Sequence, residues 1–292
     1  MLKPVWTTSS FLVYLGGLTV LASALTALSY LAGQYGDFAY VLWTLLVLVV
    51  LKAIAVGLRQ RGLWLTAGIF GFATVLAFAA FIGAIWKWFG WLPTLNGSSP
   101  FSGFHFGLLV LVLLVFFAAV SSLPFYRFPL LMLIVTATWA FFVIDLISGG
   151  GTWSAIVAVL TGLFYLAVGA GIDTSEQRPY GFWVHFAAAV LIGGALLYWW
   201  HSGDTHWALV AFFGFLYIAV GAVTRRSVWA VFGAAMFLAA TEHFASSWTN
   251  GGVRLGLAVP SNDWVPALVF AVVGFFFVAL GLAAARRGAA TE

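Results

Sequence analysis

The chain contains no cysteine and very little charge. Of its 292 residues, 12 are Lys or Arg and 8 are Asp or Glu, so that 7% are charged and 64% are hydrophobic. The lack of cysteine excludes disulfide bonds, catalytic thiolates and Cys-ligated zinc or iron–sulfur sites. The scarcity of charge excludes an ordinary soluble fold, in which about a quarter of the residues are charged.

The sequence signatures of several enzyme classes are also missing. No P-loop, GxSxG, H-E-x-x-H or dinucleotide-binding fingerprint occurs, and no loop is long enough to form a soluble domain. The net charge of +4 is not gathered into a dense basic patch, so nucleic acid is not an expected partner. These absences favour a non-enzymatic protein.

What the chain does contain is a series of long apolar segments separated by polar, Gly-rich turns. A helix needs about 20 apolar residues to cross a hydrocarbon core of roughly 30 Å. The sequence therefore predicts an all-α polytopic membrane protein with about ten transmembrane helices. The predicted spans are 11–32, 38–58, 63–89, 104–123, 129–148, 152–172, 181–201, 206–224, 227–248 and 264–286.

Basic residues divide unequally between the two predicted sides of the membrane. Because positive residues resist translocation, the side that is richer in them is predicted to be cytoplasmic, which places both termini inside. We expect the protein in the cytoplasmic membrane of a bacterium or archaeon, with the lipid bilayer as a partner. The richer side holds Lys3, Lys52, Arg59, Arg61, Arg127, Arg178, Arg225, Arg226, Arg286 and Arg287, and the other side holds Lys87 and Arg254.

An octapeptide with Gly at both ends and aromatic residues inside occurs at 162–169, 214–221 and 274–281, with a degenerate copy at 50–57. Gly residues seven positions apart lie on one helix stripe, where they let a neighbouring backbone approach closely. The spacing of the copies indicates repeated helical hairpins of the same orientation. Residues 1–292 are predicted to form a single transmembrane domain, with hairpin repeats at approximately 38–89, 104–148, 152–201 and 206–248 and flanking spans at 11–32 and 264–286.

In helix number and in the location of its termini, the chain resembles the ten-helix drug/metabolite transporter superfamily. No residue motif carries this resemblance. Hairpins of the same orientation also differ from the inverted five-plus-five plan of that superfamily. The sequence therefore assigns no family.

Ionisable residues inside apolar helices are costly and by default mark functional sites. Asp145, Glu242 and His243 fall toward the predicted outer ends of their helices, and Lys87 ends a helix on the same side, where it could pair with either carboxylate. These four residues are the candidate binding site for a cation, a proton or a polar solute. The secondary candidates on this side are His105, His201 and His206. We favour the interpretation that they cap helix ends at the depth of the lipid headgroups over the interpretation that they bind a ligand.

No cofactor is predicted, and the metal content is left undetermined. Zinc or iron requires three or four converging ligands, and no two histidines share i, i+4 spacing within a helix. Haem b held by His243 with His201 or His206 stays open as an alternative. An aromatic-lined pocket for a lipid, quinone or pigment also stays open, since 18% of the residues are aromatic.

Three functions agree with this pattern. The leading hypothesis is a small-solute or ion transporter, or a channel-like protein, with a polar site in the outer half of the helix bundle. The second is a non-catalytic subunit or scaffold of a membrane complex or homo-oligomer, because almost the whole chain lies in lipid. The third is a membrane-embedded enzyme or redox protein that binds lipid, quinone or haem.

Overall fold

The computed structural model describes residues 35–91, 106–147, 151–200 and 202–249, together with 253–254, 257–258 and 271–275. The predicted span 11–32 lies outside these residues, and within the predicted span 264–286 only 271–275 are described, as helix. The helices are α1 (Tyr35–Gln60), α2 (Trp64–Trp88), α3 (Phe106–Tyr126), α4 (Leu131–Ile147), α5 (Thr152–Asp173), α6 (Arg178–Trp199), α7 (Asp204–Thr224) and α8 (Ser227–Thr249). Two short antiparallel strands follow, β1 (Val253–Arg254) and β2 (Leu257–Ala258).

Seven of these helices, all except α4, are long and apolar enough to cross a bilayer. Helix α4 has 17 residues, which gives a length of about 26 Å, near the lower limit for a transmembrane helix. The chain is therefore a multi-pass integral membrane protein. The eight helices coincide with eight predicted spans, and their ends agree within three residues. The total of ten spans and the orientation stay predictions.

Glycines end α1 and α2 at the turns that the sequence predicts. Gly62 has φ +76° and Gly90 has φ +70°, both in the left-handed region where a side chain is disfavoured. After Gly62, the N–H of Leu63 donates to the carbonyl of Leu58 at 3.0 Å. This bond closes the last helical turn as a Schellman motif, and the same arrangement follows α2.

The ends of α3 and α7 use arginine where α1 and α2 use glycine. Arg127 has φ +51° and Arg225 has φ +54°, so both lie in the left-handed region. At α7 the N–H of Arg226 then donates to the carbonyl of Gly221 at 3.1 Å, which again closes the turn. A residue with a Cβ in this conformation costs roughly 1 kcal/mol more than glycine does.

Contacts divide the chain into two compact units, Met1–Ala188 and Ala189–Glu292. The boundary falls inside α6, and the single domain over 1–292 stays a prediction. In the first unit, α1 to α4 share a core of small and branched side chains. Two glycines of α2 lie against aromatic rings in this core. A Cβ on Gly71 would lie 2.6 Å from the ring of Tyr126, so a side chain at this position would clash with the ring.

In the second unit, α7 and α8 meet backbone to backbone. A Cβ added to Gly214 of α7 would lie 2.8 Å from the carbonyl oxygen of Gly233 on α8 and 3.3 Å from the backbone nitrogen of Phe237. A Cβ on Gly221 would lie 3.0 Å from the backbone nitrogen of Ala230. The terminal glycines of this octapeptide therefore serve close helix packing, as their spacing predicts.

The fourth residue of the octapeptide has the same environment in α5 and α7. Tyr165 donates its hydroxyl to the carbonyl of Thr136 at 2.6 Å, and Tyr217 donates to the carbonyl of Ala189 at 3.0 Å. Both tyrosines are buried. Each links its helix to a main-chain oxygen of the preceding helix, 29 and 28 residues earlier.

We expect Gly214→Ala to destabilise the α7–α8 packing by about 1 to 3 kcal/mol, because the added methyl group meets backbone that cannot rotate away. The matched control is Gly194→Ala in α6, where a Cβ meets open space. The free energy of unfolding, measured by SDS titration in detergent, should fall for Gly214→Ala only. Equal changes in both variants would contradict the close approach.

Candidate functional site

His243, a predicted site residue, lies near the end of α8 and contacts the first turn of α7. Its Nε2 is 2.9 Å from Oδ1 of Asp204. Its imidazole stacks on the indole of Trp207, with ring centroids 5.0 Å apart and an interplanar angle of 15°. The side chain of Asp204 is 70% exposed and that of His243 is 26% exposed. We call these three residues the Asp204–Trp207–His243 cluster.

The position of each residue in the cluster has a local cause. Asp204 opens α7, where a carboxylate interacts favourably with the N-terminal end of the helix dipole. Trp207 follows three residues later, on the same helix face. A carboxylate hydrogen-bonded to one imidazole nitrogen fixes the orientation and the tautomer of the ring. An indole face attracts cations. The cluster therefore presents an exposed carboxylate and an aromatic face to a small cation.

Glu242 precedes His243 and is partly buried. Consecutive residues on a helix point about 100° apart, so the two side chains leave α8 on different faces. Thr241 is buried and donates its hydroxyl to the carbonyl of Phe237 at 2.8 Å. The sequence grouped Glu242 and His243 as a pair, whereas the structure joins His243 to α7.

The secondary histidine candidates divide between local turn structure and residues that are not described. His206 lies in the first turn of α7, where Nδ1 contacts the carbonyl oxygen of Ser202 and lies 3.4 Å from the Ser202 hydroxyl. These contacts support a structural role at the helix start. His105 and His201 lie outside the described residues.

Asp145 lies in the first unit, two residues before the end of α4, and its side chain is 1% exposed. Among the described residues it is the only acidic side chain that is fully buried. Other buried residues of α4 include Ala140 and Ile144. Burial of a carboxyl group within an apolar helix has a desolvation cost, which is the physical reason for treating Asp145 as functional.

Lys87 forms an ion pair with a residue that the sequence analysis did not select. Its Nζ lies 3.0 Å from Oδ1 of Asp37, and both side chains are nearly half exposed. The same ammonium group lies 5.4 Å from the ring centroid of Tyr40. A surface pair of this kind contributes less than about 1 kcal/mol. The contacts place Lys87 at the rim of the first unit, between the ends of α1 and α2.

A buried ionisable pair that the sequence did not identify links α5 and α6. His185, in the second turn of α6, is 0% exposed, and its Nε2 lies 3.0 Å from Oδ2 of Asp173, the last residue of α5. Gly169 makes room for this ring: a Cβ there would lie 3.0 Å from the imidazole. Gly169 and Asp173 are four residues apart on one face of α5, directly before a short turn. A glycine and a carboxylate on one face leave room for a polar side chain of the next helix, and this was the pattern in the sequence that could have indicated the pair.

The candidate residues thus divide by unit. Asp145 and Lys87 belong to the first unit, and Glu242 and His243 belong to the second. Convergence of the four on one cavity stays a prediction. Among the residues that the structure describes, no three His, Asp or Glu side chains are grouped as metal ligands would be.

No family model, no curated protein and no solved structure matches this chain. The function is therefore inferred from the residues themselves.

We expect a double-mutant cycle on Asp173 and His185 to give a coupling free energy of about 2 kcal/mol, because a hydrogen bond to a charged group is strong where water is excluded. The variants are Asp173→Asn, His185→Gln and their combination, and the measurement is the free energy of unfolding in detergent.

The matched comparison is the same cycle on the exposed pair, with Asp204→Asn and His243→Gln. Its coupling should stay below about 1 kcal/mol. A buried pair that couples no more strongly than the exposed pair would show that Asp173 does not hold His185.

Proposed function

We propose that the protein is a transporter or channel-like protein for a proton or a monovalent inorganic cation, with its polar site in the outer half of the helix bundle. The observation that carries this proposal is Asp145, a carboxyl group buried within an apolar membrane helix. Such a group is retained at a large desolvation cost, and ion pathways and proton relays are its usual uses.

The distribution of charge supports a cation over an anion. If successive helices cross the membrane in alternate directions, the turns after α1, α3, α5 and α7 share one side, and each carries or adjoins arginine. The opposite side carries Lys87 and Arg254 as its described basic residues. The described acids on that opposite side are Asp37, Asp145, Asp204 and Glu242, which outnumber the two bases. An excess of negative charge on a surface concentrates cations near a site.

The Asp204–Trp207–His243 cluster is a second candidate for cation binding, within the second unit. Its carboxylate and imidazole are partly exposed, so that water and ions reach them, whereas Asp145 is buried. Groups of this kind bind a cation by replacing its water with carboxylate oxygens and an aromatic face. We propose cation binding by the cluster and by Asp145 separately, each within its own unit.

The other two functions have weaker support. A subunit or scaffold role rests on exposed apolar helix faces, but lipid contact accounts for these equally well in a membrane protein. A haem protein would need facing histidines. Of the described histidines, His185, His206 and His243 each contact a nearby acid or turn carbonyl.

The proposed fold consists of repeated helical hairpins of the same orientation, with both termini in the cytoplasm. The matched hydrogen bonds of Tyr165 and Tyr217 support repetition, because the same octapeptide position binds the preceding helix in both units. The arginines at alternate turns support the orientation.

The transport proposal is tested with the full chain in proteoliposomes under an imposed membrane potential. Uptake of Na⁺ and Rb⁺ and the internal pH are followed. We expect flux of at least one of these three cations above protein-free vesicles. Asp145→Asn should lower this flux about tenfold, which corresponds to about 1.4 kcal/mol, because an amide replaces the carboxyl group proposed to bind the cation or proton.

The matched control is Glu176→Gln, which makes the same chemical change in an exposed turn and should leave the flux unchanged. Size-exclusion chromatography verifies that both variants fold, and Asp145→Glu should restore part of the flux. Absence of flux for all three cations, or equal flux in Asp145→Asn and the parent, would refute the proposal.

A further inference from the structure

The first unit contains an open groove between α3, α4 and α5, with α6 at its base. Its volume is about 260 Å³. The floor is made of buried side chains, Thr136, Tyr165 and Val184. The rim is made of exposed aromatic side chains: Trp139 is 36% exposed and Phe164 is 57% exposed. The groove therefore opens to the surroundings of the protein rather than to its interior.

The aromatic rim of the groove lies at the level of the helix midpoints, and the groove extends from there to Met132, the second residue of α4. Phe116 and Trp139 are the middle residues of α3 and α4, and Phe164 is close to the middle of α5. The rings of Phe116 and Trp139 are in contact, with centroids 5.4 Å apart, and form one wall. In a membrane-spanning helix the midpoint is the level of the hydrocarbon core, far from headgroups and water.

The polar atoms of the floor are already used within the protein. Tyr165 donates its hydroxyl to the carbonyl of Thr136 at 2.6 Å. Thr136 donates its own hydroxyl to the carbonyl of Met132 at 2.9 Å. The accessible lining is entirely apolar. A ligand in this groove is therefore recognised by shape and dispersion and not by hydrogen bonds.

From this geometry we propose that the groove binds the distal part of one acyl chain of a membrane phospholipid. Water does not fill an apolar groove, and an empty groove would lose the dispersion contacts of its walls. The volume lies below the roughly 300 Å³ at which pockets for whole small ligands begin, so it fits a segment of one chain. At the midpoint of a span, that segment is the methyl-terminal half.

The surrounding surface supports the same occupant. Leu160 and Leu163, on the same helix as Phe164, are 60% and 49% exposed, and Phe117 beside the groove is 59% exposed. The groove is thus a concave part of a surface that already faces lipid. A quinone or pigment head would leave its polar atoms without partners on this lining, which favours a plain hydrocarbon chain. The assignment stands independently of the transport proposal.

The test is photolabelling of the full chain in phosphatidylethanolamine and phosphatidylglycerol vesicles. One trace phospholipid carries a diazirine near the methyl end of an acyl chain, and a second carries it near the carbonyl. Adducts are mapped by mass spectrometry. We expect the methyl-end probe to label Trp139 and Phe164 more strongly than Leu160. The carbonyl-end probe should label neither Trp139 nor Phe164.

Val168→Trp fills the groove from α5, and Leu160→Trp makes the same kind of change on the exposed face of that helix. The first should lower groove labelling about tenfold, as a loss of about 1.4 kcal/mol of binding would, and the second should leave it unchanged. Uniform labelling of all exposed faces by the methyl-end probe would overturn the proposal, whatever the folding of the variants. Displacement of the label by an equimolar polyprenyl quinone, but not by excess unlabelled phospholipid, would overturn it in favour of a quinone site.

Discussion

Hydrocarbon offers no hydrogen bonds, and this constraint governs where every polar group of the chain is placed. Backbone groups are satisfied within helices. Hydroxyl side chains follow the same rule: Thr74, Thr161 and Thr241 each donate to the carbonyl four residues earlier, at 2.7 to 2.8 Å. In the part of the chain that the structure describes, hydrogen bonds between helices come from ionisable groups such as His185 and from long side chains such as Tyr165.

These hydrogen bonds depend on close helix packing. The buried tyrosines bond α5 and α7 to the helices before them, and a Cβ on Gly193 of α6 would lie 3.3 Å from the hydroxyl of Tyr217. The same logic brings His185 against Gly169 and within reach of Asp173. Close packing and the placement of polar side chains thus depend on the same small residues, as in other membrane bundles.

The helices could be predicted from sequence because length, apolarity and turn residues are local properties. Gly62 and Gly90 end their helices at the predicted turns, and eight spans were located within three residues. The prediction that His243 is a site residue stays untested, but the contacts of this residue could not be foreseen. Asp204 lies 39 residues earlier. Whether the two meet depends on how α7 and α8 rotate about their axes, and nearly uniform apolarity leaves that rotation undetermined.

The Lys87–Asp37 ion pair and the apolar groove were not predicted, because both depend on how helices pack against one another. Lys87 and Asp37 meet because α1 and α2 are joined by a tight turn, and the depth of each charge on its helix decides the pairing. The apolar groove has no sequence signature, since its walls use the same Phe, Trp and Val residues as any lipid-facing helix. Concavity arises from the spacing of three helices, which no single segment encodes.

The left-handed arginines at the ends of α3 and α7 have a consequence for biogenesis. Arg127 and Arg225 occupy backbone conformations that glycine adopts more easily. In the proposed orientation, each keeps a positive charge on the cytosolic side, at the point where the polypeptide reverses direction, and such a charge resists translocation. Replacement of either arginine by glycine would therefore relax the backbone and remove a topogenic charge in the same step.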